Sequence, residues 1–303
     1  MIREGSATPQ RVAAEAAVGQ QLQRWGRGIS GFVRTQPLGT LGLAICIIMT
    51  LVGVFAPWVG RYDPNEVSAF ERLQAPGATH WFGTDALGRD LYARIVYGAR
   101  ISFFVAFFSI GMGTTLGYLL GIVSGYFGGK TDDIIQRIVD AMLAFPSLLL
   151  ALAMVSVLGA GLDKVIIAIS VTYAPRAARV SRGVVLSLKE NAYVDAARVI
   201  GASSLRIMLR HILPNSLAPY VILASVGLGA AILIEASLSF LGLGVPPPHS
   251  SWGRMLSGSA ADFAFTAPWM MIFPGVAIML LVLGFNLFGD TLRDIWDPKL
   301  RGR

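Results

Sequence analysis

Five long runs without a single charged residue constrain this chain more than any other feature. They are Leu38–Val59, Ile101–Gly129, Ala141–Leu162, Ile212–Ile234 and Phe263–Gly289. A hydrocarbon core of about 30 Å needs roughly 20 apolar residues in a helix to cross it. Inside lipid every backbone N–H and C=O must be satisfied within the segment, so runs of this kind read as membrane helices. Composition agrees. Of the 303 residues, 54% are hydrophobic and 14% charged, against about 25% charged in a soluble domain. Such a chain cannot cover a water-facing surface. The reading is all-α, a polytopic membrane helical bundle.

A sixth run, Val165–Pro175, is uncharged for only 11 residues before Arg176, Arg179 and Arg182 arrive. Charge asymmetry decides how to read it. If the segment from Val165 to about Val185 spans, with its arginines reaching the interface, both termini and the stretch 176–214 lie on one side. That side then holds 17 Lys and Arg, and the other holds six: Arg61, Arg72, Arg89, Arg94, Lys164 and Arg254. The positive-inside rule favours this arrangement strongly. Six transmembrane helices with both termini cytoplasmic are therefore expected. The formal net charge of +7 is explained by the same rule, and no basic, aromatic-interleaved segment points to nucleic acid.

Chemistry is sparse. No Gly-x-x-x-x-Gly-Lys-Ser/Thr loop is present, so the chain itself does not hold ATP in the P-loop manner. His80, His211 and His249 are far apart in sequence, which argues against a metal site and leaves no catalytic residues to name. Ionisable groups near the spans are few. Asp140 sits three residues from Arg137, a spacing that pairs them on one helix face. Glu235 falls near the outer end of the fifth span, where lining a pathway and simple interfacial placement fit equally well. Both are candidate pathway residues. Because coupled carriers keep polar groups at mid-membrane, the energy for any transport is expected from outside this chain. Gly113, Gly117, Gly121 and Gly125 recur every fourth residue and make one smooth face for close helix packing.

The most informative segment is Ala192–Pro214. It reads as a short helix, a glycine stop at Gly201, a serine cap at Ser203, a second helix and a proline stop. The first helix offers a small-residue face, Ala192, Ala196 and Ala197, over which another protein's pocket can close. Arg206 and Arg210 stand four apart on the second. Asp195-Ala196-Ala197, then Gly201, then Leu213-Pro214 resembles the "EAA" coupling loop of ATP-binding-cassette importer permeases. Asp195 stands where the family usually has Glu, and His211 where the general pattern has Ile.

Other segments resemble the dipeptide, oligopeptide and nickel branch of that family, and its C-type permease subunit in particular. These are His80-Trp81-Phe82-Gly83-Thr84-Asp85 through Asp90, Tyr97–Ser102, Phe145–Leu149, Ala236–Gly244 with Trp252-Gly253, and Phe285–Asp290 with Asp297-Pro298-Lys299. Pro248-His249-Ser250-Ser251 departs from the usual pattern before the tryptophan.

The resemblance implies a cell (inner) membrane subunit of a bacterial ABC importer. It implies a cytoplasmic tail (1–37), a first transmembrane helix with an external loop (38–99), and a permease core (100–303) containing the coupling loop 186–214. It further implies half of a peptide pathway, a homologous second permease, two ATP-binding subunits that hold ATP and Mg, and an external solute-binding protein. This chain itself would be non-catalytic and without cofactor. A nickel or glutathione permease is the alternative within the family, and a secondary carrier the alternative outside it. Asp195, Ala196, Ala197, Gly201, Arg206, Arg210, Leu213 and Pro214 would form the ATPase-coupling loop. Asp85, Arg89, Asp90 and Trp252 would contact the binding protein or an external gate. A purely local reading also fits, with Thr84 or Asp85 starting a helix and Asp90–Arg94 as an i, i+4 pair.

Overall fold

A computed structural model describes residues 33–257 and 262–296. Most of the N-terminal tail and the Asp297-Pro298-Lys299 motif lie outside the described residues. Among the described residues there is no strand, only an isolated bridge between Thr84 and Asp90. The helices are α1 (Pro37–Val54), α2 (Ala56–Val59), α3 (Leu91–Phe127), α4 (Gly129–Leu143), α5 (Ser147–Leu158), α6 (Leu162–Leu188), α7 (Ala192–Val199), α8 (Ser204–Ile207), α9 (Leu213–Asn215), α10 (Leu217–Phe240), α11 (Trp252–Leu256) and α12 (Trp269–Trp296).

By length and composition α1, α3, α10 and α12 can each cross a membrane, and the α4–α5 pair makes a fifth candidate if counted as one bent span. The sixth expected span, at Val165, is a continuous 27-residue helix, α6. It is long enough, about 40 Å, but carries Asp163, Lys164 and the three arginines. Pro175 sits inside it.

Three boundaries differ from the sequence expectation, each for a local reason. α3 begins at Leu91, ten residues before Ile101, because Asp90 caps it: its carboxylate accepts the Ala93 N–H at 2.7 Å. At 37 residues it is about 55 Å long and outreaches the bilayer core. The expected single span Ala141–Leu162 is broken by a 93° bend. Pro146 has no N–H and disfavours helix at Phe145, leaving α5 with 12 residues, about 18 Å. The third correction concerns Pro214, which does not end the second loop helix. It takes a first-turn position in α9, and the irregular step falls at Ser216 (φ −102°) before α10.

The core is built from the inner faces of α3, α5, α6, α10 and α12, with Val105, Ile110, Val155, Ile169, Ile232 and Leu281 buried. Outward faces stay apolar, as Leu41, Ile48, Phe107, Leu116 and Leu233 show. That is the distribution a lipid-facing bundle requires.

α3 packs most extensively against α6, and the glycine stripe is the reason. A Cβ at Gly113 would meet the Ser170 backbone, at Gly117 that of Ala174, at Gly121 that of Ala178, and at Gly125 Arg182 and Val185. The two backbones touch along more than three turns. Ser170 Oγ donates to Ser109 O (3.0 Å) and Ser181 Oγ to Tyr118 O (2.8 Å) across the same seam. Gly117→Leu should therefore force the helices apart, cost at least about 1–3 kcal/mol, and lower the yield of monodisperse protein in detergent chromatography. Gly111→Leu, where a side chain meets open space, should behave as wild type.

Candidate functional site

The segment 192–214 folds into a rigid elbow at the C-terminal end of α3. α7 ends in a Schellman turn: Gly201 N–H donates to Arg198 O (2.9 Å) and Ala202 N–H to Ala197 O (3.0 Å). Gly201 has φ +80°, a left-handed conformation that any side chain strains. Ser203 caps α8, accepting the Arg206 N–H. A π-helical turn, Met208–Ile212, continues into α9.

Underneath, Val194, Ala197, Ile207, Met208 and Ile212 pack on Tyr118 and Ile122 of α3 and Val185 of α6. On the other side Asp195, Ala196, Gly201, Arg206, Arg210 and Pro214 are exposed, and Leu213 is half-buried. The small-residue face expected from the sequence is thus divided. Ala192 and Ala196 face outward, whereas Ala197 is 5% exposed and belongs to the loop's own core. A charge at Ala197 would damage the elbow itself and says nothing about docking. The tip is apolar instead: Val199 is 86% and Ile200 83% exposed, and Leu205 is exposed as well. Asp195 pairs with Arg198 at 2.9 Å on the exposed rim. Sequence reading missed Val199 and Ile200, although two β-branched residues just before a helix-ending glycine were there to be noticed.

The segments flanking the elbow are tied to α3 by polar contacts. Tyr118 OH donates to Ser216 O (2.7 Å), Thr115 and Tyr220 hydroxyls lie 2.9 Å apart, and Lys189 Nζ donates to Gly125 O (3.0 Å). Movement of the elbow must carry α3 and the start of α10 with it.

Beside it, the charged helix α4 is pinned to α6. Arg182 forks onto Asp132 (2.6 and 2.5 Å), with Ser124 Oγ also donating to that carboxylate. The Arg182 hydrogen bonds hold the Asp132 carboxyl below the ordinary carboxylate range. The pin is therefore present above the unfolded-state value near pH 4 and is lost as pH falls through the lower folded value. Asp132→Asn should lower thermal stability at pH 7, and the gap to wild type should close as pH drops below about 4. Thermal melts across pH check this. Asp140 does not pair with Arg137 along its helix. It crosses to Arg179 of α6, and both side chains are exposed.

The opposite end of α3 carries the loop 60–90. Asp85 Oδ1 accepts the N–H groups of Leu87 (2.8 Å) and Arg89 (3.1 Å), and Oδ2 binds Arg89 Nε (2.7 Å). Asp90 Oδ2 lies 2.8 Å from His80 Nδ1. Arg94 does not pair with Asp90. Its Nε stands 3.8 Å from Asp85, and its Nη1 donates to Pro64 O (2.9 Å). Trp252 is fully buried, its indole N–H donating to Ile95 O (2.9 Å) over Gly98, where a Cβ would strike the ring. Asp85 and Asp90 are thus spent on holding this loop to α3, and Trp252 on holding α11 to it. Of the four residues expected at an external contact, only Arg89 leaves part of its side chain to solvent.

Glu235 is enclosed by the chain itself. It is fully buried. Oε1 accepts from Ser239 (2.8 Å) and Ser251 (2.9 Å), and Oε2 from Ser102 at 3.4 Å. The carboxyl joins α10, α3 and the segment leading into α11. Ser239, one helical turn on, was visible in the sequence. Ser102 and Ser251 were not.

Residues 117–302 match the family model described as the inner membrane component of binding-protein-dependent transport systems. The chain is 47% identical over 269 residues to a dipeptide transport system permease, DppC, from Alkalihalophilus pseudofirmus, covering 89% of this chain and 88% of the relative. It is 43% identical over 270 residues to a glutathione transport system permease, GsiD, of Escherichia coli O6:K15:H31, covering 89% of each. A solved structure of the MetNI methionine ABC transporter in an inward-facing conformation aligns with TM-score 0.55 at 21% identity. That match covers 68% of this chain and 97% of the other, and speaks for the fold.

Proposed function

Because the chain belongs to the family of inner membrane components of binding-protein-dependent transport systems, we propose that it forms half of the translocation pathway of an ABC importer for di- and oligopeptides. Its partners in this reading are a homologous permease, two ATP-hydrolysing subunits that carry ATP and Mg, and a solute-binding protein on the outer side. Both termini and the elbow 192–214 then face the cytoplasm. The observation that carries the reading is the elbow: an apolar tip held at a fixed angle by Gly201, founded on α3 and α6, with no partner of its own among the described residues. An ATPase cleft that closes on this tip does work on α3 and α10. Nucleotide drives the outward-facing state only to the extent that the closed ATPase dimer binds that state better.

Relatives named for dipeptides and D,D-dipeptides support peptide as the substrate class. A second reading, glutathione, rests on the GsiD relatives and differs little chemically, since glutathione is itself a short peptide. The deciding experiment is reconstitution of the whole assembly in proteoliposomes with labelled dipeptide or glutathione inside the binding protein. Uptake that needs ATP and every partner is expected. Uptake by this chain alone, driven by an ion gradient without ATP, would overturn the proposal in favour of a secondary carrier.

A further inference from the structure

Between the end of the loop 60–90, the first turn of α3, the turn 247–249 and the start of α12 lies a cavity of about 240 Å³. Three guanidinium groups line it, those of Arg89, Arg94 and Arg254, with one carboxylate, Asp85. Asp85 cannot neutralise them. One of its oxygens is taken by two backbone N–H groups and the other by Arg89 Nε. Arg94 is 5% exposed, shares the same Asp85 oxygen only at 3.8 Å, and otherwise donates to the Pro64 carbonyl. Arg254 donates only to the Val245 carbonyl among the described residues. The nearby Asp90 is occupied by His80 and the helix cap. Residues 258–261, Gly-Ser-Ala-Ala, have no carboxylate to contribute. The cavity therefore keeps a formal charge of +2, half enclosed, where positive charge without a partner is unfavourable and attracts an anion.

Leu91, Met255, Met270 and Pro247 give the rest of the wall its apolar surface, interrupted by the polar side chains of His249 and Ser257. The volume is below that of a drug-sized pocket, so it suits one residue-sized group and not a whole oligopeptide. Guanidinium forks bind carboxylates in a planar, two-bond geometry. We propose that this cavity is a binding site for a carboxylate borne on a short apolar body, the chemistry of a peptide's C-terminal residue. The carboxylate assignment rests on the cavity alone. Only its reading as a peptide terminus rests on the function proposed above.

The test is arginine modification by phenylglyoxal in the assembled transporter in lipid nanodiscs, quantified residue by residue by mass spectrometry at constant ionic strength. Isovalerate and alanyl-leucine should slow modification of Arg89 and Arg254 about fivefold when present at about four times their Kd. Arg206 and Arg210, at the far end of the fold, should react unchanged. Alanyl-leucinamide, which lacks the carboxylate, should give no protection. Arg254→Gln should abolish the protection of Arg89. If that variant misfolds, the wild-type labelling still decides. Equal protection by the amide, by inorganic phosphate or by chloride would overturn the proposal. Parallel ATP-driven uptake separates the two readings. Protection by isovalerate without peptide uptake keeps the site and removes the peptide import reading, whereas uptake without protection removes the site.

Discussion

Replacing Ile200 with aspartate should leave a chain that inserts and purifies like wild type yet supports no ATP-driven uptake. Ile200 is 83% exposed and outside the loop's core cluster. Exposed positions of this kind usually change stability by less than about 0.5 kcal/mol. The proposed docked state inverts that neutrality. An aspartate enclosed in an apolar cleft without a partner costs at least about 3 kcal/mol, more than roughly a hundredfold in affinity for the ATPase subunit. Val199→Asp should act alike, and Ile200→Leu should be tolerated. Gly201→Glu combines the charge with backbone strain at φ +80°, a strain of about 1–2 kcal/mol, so it should abolish uptake as well. The measurement is co-purification of the ATPase subunits alongside proteoliposome uptake. Wild-type uptake by the Ile200→Asp chain would sink the docking assignment.

Glu235→Leu should produce the largest loss of stability in the bundle, while Glu235→Gln should lose little. The leucine variant removes the acceptor shared by Ser102, Ser239 and Ser251 and leaves buried hydroxyls without a partner. Each orphaned group costs about 1–3 kcal/mol, and a network of this kind loses roughly 2–5 kcal/mol in total once the hydroxyls that can rotate to backbone carbonyls are discounted. Glutamine keeps a carbonyl acceptor and adds N–H groups that the serine oxygens can accept. At about 2–4 °C per kcal/mol for a chain of this order of size, the leucine variant should melt about 5–10 °C or more below wild type in detergent. Equal melting of the two variants would show that the serine cage carries no stability. Because the cage joins α3, α10 and the entry to α11, the leucine variant should also loosen Trp252 beneath Gly98, read as a change in tryptophan emission.

Much of the molecule was legible without coordinates, for identifiable reasons. Lipid admits only segments that satisfy their own backbone, so the apolar runs had to be helices. The glycine repeat in α3 could serve little but close contact, and its partner proved to be α6. Gly201 and Ser203 announce a helix end and a helix start through backbone conformations that few other residues adopt. The boundaries were less legible. The 93° bend at Pro146 and the early start of α3 at Asp90 lie where a hydropathy run passes through or stops short of the actual break.

What the sequence determined by itself is the membrane class, the family and the position of the elbow 192–214, because solvent partition and local backbone chemistry act over a few residues at a time. The tertiary structure alone decided which way side chains turn. It placed Ala197 inward on one short helix and Ile200, just past its end, outward, sent Asp140 to Arg179 and not Arg137, and closed three serines over Glu235. It also gathered Arg89, Arg94 and Arg254 around one cavity. Ser102 and Glu235 are 133 positions apart and Arg94 and Arg254 are separated by most of the bundle. Their meeting depends on how long helices pack against each other, and no local pattern records it.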